Sequence, residues 1–151
     1  MWKTLYPLFE RNLDKLEEEI NLYPDDHSMW KILPGTSNSG GNLCLHLCGN
    51  LRHFIGAQIG YSAYVRDRAS EFSQTGLSKS TLSDLIQKTK SEVLSTLKET
   101  RVSPSEICPF KFVAQQVTYE HLMFHLYGHL HYHLGQLNYH RRAMMTNFPV
   151  N

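Results

Sequence analysis

Apolar residues recur at helical spacing in four segments of the chain, and no stretch sustains the alternation of a strand. The first segment covers residues 4–22. Leu5, Leu8, Phe9, Leu13, Leu16 and Ile20 share one face there, and the Glu17-Glu18-Glu19 run is expected on a solvated face. Tyr23-Pro24 ends it, because proline cannot continue a helix and disfavours one at the preceding residue. The second segment, 39–65, starts at a cap supplied by Asn38 or Ser39 and carries Leu43, Leu47, Leu51 and Phe54 on one side. Its glycines at 40, 41, 49, 56 and 60 weaken a helix by up to about 1 kcal/mol each, which close approach of neighbouring helices is expected to offset. A third segment runs over 81–100, with Leu82, Leu85, Ile86, Val93, Leu94 and Leu97 inward. The fourth runs over 118–145 behind a Thr118 cap. Between them lie a 27–37 loop with a Pro34-Gly35 turn, a polar 66–80 connection and a proline-containing 101–117 link. Trp30, in the first loop, is a candidate either for plain packing or for a lid. The 66–80 connection reaches up to about 50 Å when extended, enough to start a helix parallel to the one before it. The expectation is an all-α, four-helix bundle forming one domain over residues 1–151.

Composition narrows the function classes. An apolar fraction of 41% with 19% charged residues is that of a soluble globular chain. A net charge of +1, with Lys and Arg scattered, argues against nucleic acid. No apolar run approaches the roughly eighteen residues of a membrane helix. The start, MWKTLYPLFERNL, turns charged too soon for a signal peptide. Three cysteines make no disulfide framework, and a cytoplasmic location is expected. Cys44 and Cys48 sit four apart, but His46 projects about 160° from each of them, so both read as small buried residues.

The candidate chemistry is histidine. His121, His125, His129, His131 and His133 crowd one stretch of the fourth segment. At about 100° per residue, Leu122, Leu126, Leu130, His133 and Leu137 fall within roughly 80° of one another. His129 lies at one edge of that arc, His125 and His121 further round, and His131 opposite. The inward pair is therefore His129 and His133, an i, i+4 arrangement that can hold one divalent metal. The plainer reading is a pair of hydrogen-bonded histidines. A metal needs a third ligand, and the second segment supplies candidates. His46 lies on the flank of its apolar face, with Asn50 and His53 on the same side. His53 is a rival about 10 Å further along.

These residues carry a resemblance. Asn38-Ser39 followed by His46-Leu47-Cys48-Gly49-Asn50-Leu51-Arg52, together with His129-x-x-x-His133-x-Gly135-Gln136, resembles the DinB/YfiT-like family of small metal-binding bundles. Arg66-Asp67-Arg68 looks like one branch of it. The likeness extends over most of the chain except its ends and 101–117. It implies an up-down-down-up helix order, with His46, His129 and His133 as the ligands of a divalent metal. Zn²⁺ and Ni²⁺ both suit imidazole. It also implies a metal-dependent enzyme of the transferase, hydrolase or isomerase kind, taking a small-molecule substrate with a low-molecular-weight thiol. Asn50, His53 or Gln136 would orient that substrate. The alternatives are a metal-binding protein without turnover and a structural dimer with incidental histidines. Kin of this family often pair through helices, and Phe124 and Tyr132 lie off the core face, so a homodimer is expected. Ligation needs neutral imidazoles and should weaken below about pH 6.5.

Overall fold

Four of the five α-helices in the computed structural model, which describes residues 1–145, fall in the four periodic segments. They are α1 (Trp2–Asn21), α2 (Gly40–Leu51), α4 (Lys79–Glu99) and α5 (Tyr119–Met145). The fifth, α3 (Arg68–Ser73), lies inside the connection expected to be irregular. Asp67 starts it, its carboxylate accepting the Ser70 N–H at 3.1 Å. Six residues are too few for a periodic pattern to register. Among the described residues there are no strands, only two isolated bridges in the 107–118 link. The last periodic segment does begin at its expected cap, with Thr118 Oγ1 accepting from the His121 N–H.

The second segment departs most from expectation. Ser39 caps it, accepting the Asn42 N–H, but the α-helix ends at Leu51 rather than near residue 65. Arg52–Ala57 continues as a π-turn, with bonds five residues apart from Gln58 to His53 and from Gly60 to Ile55. The chain then leaves the helix at Tyr61, whose φ is +55°. Gly56 and Gly60 supply little helix propensity here, and the Thr96 side chain of α4 occupies the space where a Cβ on Gly60 would stand. Close approach also explains the earlier glycines. The side chains of Tyr23, Trp30 and Glu71 fill the places of Cβ atoms on Gly40, Gly41 and Gly49 respectively. Trp30 is thus a packing residue, its indole N–H donating to the Leu77 carbonyl at 2.9 Å.

Helix directions follow from which residues meet. Asp14 pairs with Lys90, Glu17 with Ser83 and Gln87, and the Trp2 indole N–H with the Val102 carbonyl, so α1 and α4 are antiparallel. Phe9 packs on Tyr127 and Glu19 bonds Asn138 and Arg141, so α1 and α5 are parallel. Arg52 pairs with Glu92 and Gly60 abuts Thr96, so the second segment and α4 are parallel. Gly40 lies by His140 and His46 by His129, so α2 and α5 are antiparallel. The order is up-down-down-up. One core of Leu, Ile, Met and Phe side chains fills the space between the four long helices, with Cys44, Cys48 and Cys108 buried in it as free thiols.

The Glu17-Glu18-Glu19 run is not uniformly solvated. Glu18 stays exposed beside Lys15, but Glu19 is 0% exposed. Its carboxylate accepts from Arg141 Nε at 2.7 Å and from the Asn138 amide at 2.8 Å. Burial pushes its pKa up, but those bonds and the Arg141 charge outweigh that and hold it below the ordinary range. Removing one member of a buried pair leaves the other desolvated and uncompensated. Glu19→Ala is expected to lose about 3 kcal/mol in urea unfolding, against within about 0.5 kcal/mol for Glu18→Ala at the surface.

Candidate metal centre

α2 and α5 cross where their small and inward residues allow, and three imidazoles meet there. His46 Nε2 lies 3.2 Å from His129 Nε2, which lies 3.1 Å from His133 Nε2. One nitrogen from each ring lies within 4.8 Å of the other two. His46 is buried, and the α5 pair is half-buried.

Partners on the far side of two rings decide which nitrogens carry protons. His46 Nδ1 faces Glu71 Oε2 at 2.8 Å, and His133 Nδ1 faces Gln136 Oε1 at 2.7 Å. Both acceptors need a hydrogen, so each Nδ1–H donates and each Nε2 is left with a bare lone pair. Both lone pairs aim at His129 Nε2, which can offer at most one hydrogen. The three rings alone therefore satisfy only one of the two Nε2···Nε2 contacts. A cation at the convergence would satisfy all three, and neutral imidazole nitrogens are a donor set that first-row divalent metals accept. The residues present fit the ion.

Glu71, on α3, was not foreseen from sequence. It is 5% exposed and held by Arg66, whose Nε and Nη2 donate to its two oxygens at 2.6 and 2.8 Å. Burial raises the Glu71 pKa, but bonds from Arg66 and His46 with the Arg66 charge bring it below the ordinary value. Arg66 thus keeps Glu71 ionised, and Glu71 keeps the His46 proton on Nδ1, the carboxylate–histidine support familiar behind metal ligands. Gly49 makes room, because Glu71 Oε1 lies where its Cβ would be. The Phe72 ring packs on His46 at 4.9 Å.

The other candidates are placed as follows. Gln136 orients His133. Asn50, 7% exposed and one turn beyond His46, has an Oδ1 with no hydrogen-bond partner. His53 does not join the cluster: its ring packs on Phe54 at 4.7 Å, and burial followed by the Arg66 charge lowers its pKa. His125 lies between the Phe112 ring and His129, at 4.7 and 6.3 Å. Phe54 also packs on Phe112, so an aromatic wall flanks the His129 side. His131 points outward and bonds the Tyr127 hydroxyl. His140, which the apolar pattern did not single out, is buried between the Tyr23 hydroxyl at 2.7 Å and the Lys31 carbonyl at 2.8 Å. A cavity of about 550 Å³ between the 33–38 loop and α5 reaches the cluster only through Gln136, on the Nδ1 side of His133.

Burial, then the neighbouring His133, His46, His125 and Arg66, lowers the His129 pKa to about 4. Burial also lowers His133, partly opposed by Gln136. Protons therefore compete for His129 well below the pH 6.5 that an ordinary imidazole suggests. The sign for stability follows from linkage: as pH falls from about 6.5 toward 4, the unfolded chain takes up a proton that folded His129 refuses. In metal-free protein, the His129 Cε1–H resonance should titrate near pH 4, and stability should decline across that window. A midpoint near 6.5 would contradict the burial argument. Gly49→Ala should displace Glu71 and give His46 and Glu71 altered chemical shifts without loss of helix content.

No family model matches the chain, and no curated protein does. Among solved structures, it is similar to a DinB-like protein from Bacillus cereus ATCC 10987. Identity is 18% over 93% of this chain and 91% of that one, with a TM-score of 0.68. At that identity the likeness speaks for the backbone arrangement, which agrees with the helix order read from the contacts. The chain is therefore an all-α bundle of the DinB-like fold, with a histidine cluster able to hold a metal between its second and last helices.

Proposed function

We propose that the protein binds one divalent metal ion through Nε2 of His46, His129 and His133 and acts as a metal-dependent enzyme on a small molecule, with a low-molecular-weight thiol as cosubstrate. One observation carries the metal reading. Two of the three rings face an acceptor on the far nitrogen, Glu71 and Gln136, an arrangement that favours Nδ1–H in each and turns their Nε2 lone pairs toward His129. The thiol chemistry rests on the sequence resemblance. When bound, Zn²⁺ or Ni²⁺ supplies Lewis acidity that lowers the pKa of a thiol or water set against it.

The chain's own residues do the rest. Glu71 fixes the His46 tautomer and makes its Nε2 a stronger donor, and Arg66 prevents Glu71 from taking the proton. Three protein ligands leave room for a reacting group, as in catalytic rather than structural sites. The unpaired Asn50 carboxamide offers a hydrogen bond to a polar group of the substrate, one helical turn from His46. The Phe54–Phe112 wall gives apolar parts of the substrate a surface shielded from water.

Protein purified without an affinity tag should carry about one zinc or nickel ion per chain, read by elemental analysis. His46→Ala, His129→Ala and His133→Ala should each abolish it, and His53→Ala should retain it. Retention in His46→Ala with loss in His53→Ala would reassign the third ligand. Glu71→Gln should keep the stoichiometry but weaken affinity by about 10- to 100-fold. Turnover is tested separately, by metal-dependent consumption of a thiol in the presence of an electrophile. Full metal loading with no such consumption would leave a metal-binding protein without turnover.

A further inference from the structure

Four of the five histidines crowded on α5 climb it in steps of four: His121, His125, His129 and His133. The cluster with His46 uses only the inner two. Each step of four residues turns about 40° round the helix, so the stripe winds out of the contact with α2 as it nears the N-terminal end of α5. His121 and His125 are accordingly exposed, where His129 and His133 are half-buried. The two outer rings line one open hollow on the surface of α5, together with Thr118, Glu120 and Phe124. Other histidines of this helix outside the cluster have partners: His131 bonds the Tyr127 hydroxyl, and His140 bonds Tyr23 and the Lys31 carbonyl. Among the described residues, no hydrogen bond or ion pair engages the ring of His121 or His125, or the carboxylate of Glu120. His125 rests against two rings, those of Phe112 and His129, and keeps its own nitrogens free.

We infer that His121 and His125, with Glu120, form a second, outer site for a first-row divalent transition metal. Side chains at i, i+4 leave the helix about 5–6 Å apart on one face, the spacing at which two imidazoles chelate one ion. Because neither ring is bonded, both can turn toward a shared ion without breaking any contact of the fold. Two imidazoles and a carboxylate suit Zn²⁺ or Cu²⁺, whereas Mg²⁺ and Ca²⁺ demand oxygen ligands. The positive end of a helix dipole disfavours a cation in the first turn, and Glu120 in that same turn supplies the charge that offsets it. The outer and inner pairs are centred about 12 Å apart along α5. Two doubly charged ions at that distance in water oppose each other by about tenfold in affinity, and less once salt screens them. Both sites therefore fill together. Held by one helix and open to water, the outer ion exchanges readily, so dialysed protein keeps the inner ion alone.

The test is calorimetric titration of the whole chain, without an affinity tag, with Zn²⁺. Wild-type protein should take up about two ions, the second more weakly. His121→Ala and His125→Ala should each remove the weaker event and keep the tighter one, whereas His131→Ala keeps both. His129→Ala isolates the outer site. It should bind a single ion, with the Cε1–H resonances of His121 and His125 shifting during the titration, and His121→Ala added to it should abolish that binding. Excess Mg²⁺ should not compete. Glu120→Gln should weaken the outer event, and an unchanged affinity there would remove Glu120 from the site. Persistence of the weaker event in both His121→Ala and His125→Ala, or no zinc uptake by His129→Ala, would overturn the outer site and leave the inner one standing. A single ion in wild-type protein, lost in His121→Ala and kept in His129→Ala, would instead uphold the outer site and overturn the inner.

Discussion

The Arg66–Glu71–His46 chain is the interaction on which the rest of the site depends. A carboxylate buried to 5% exposure is tolerable only when charge and hydrogen bonds replace the water it has lost. Arg66 supplies the charge, and His46 supplies a proton that must then stay on Nδ1. From that one placement the Nε2 lone pair, its direction and its meeting with His129 follow. Several oddities of the backbone serve it. Gly49 is small so that Glu71 can lie against α2, and α3 exists to carry Glu71. The early end of the second helix frees the chain to run back extended through Arg66 to α3.

α5 answers to two demands along one helix. Its leucine face joins the core, and His129 and His133 sit at that face's margin, shielded enough to resist protonation but open on one side. Its aromatic and glycine face turns away.

The periodic elements were legible because their burial is one-sided. α1, α4 and α5 lie within about two residues of the spans read from their leucines, and rotation alone separated His129 and His133 from His121, His125 and His131. What escaped reading lacks a periodic signature. The second segment looked helical beyond Leu51 because Phe54 continues its apolar face, whereas glycines and a π-turn decide its course. Glu19 was expected on a solvated face and Glu71 was not singled out, because their cationic partners, Arg141 and Arg66, are found only by folding. His140 was hidden likewise: its partners, Tyr23 and the Lys31 carbonyl, come from the far end of the chain.

The most direct measurement on the central claim is X-ray absorption at the zinc edge of zinc-loaded protein. Three imidazole ligands predict a first shell of light scatterers at about 2.0–2.1 Å with the outer-shell features of histidine rings. That signal should collapse in His129→Ala. With no thiol in the buffer, a sulfur shell at about 2.3 Å, pointing to Cys44, Cys48 or Cys108 as ligands, would contradict the account, as would a first shell without histidine features.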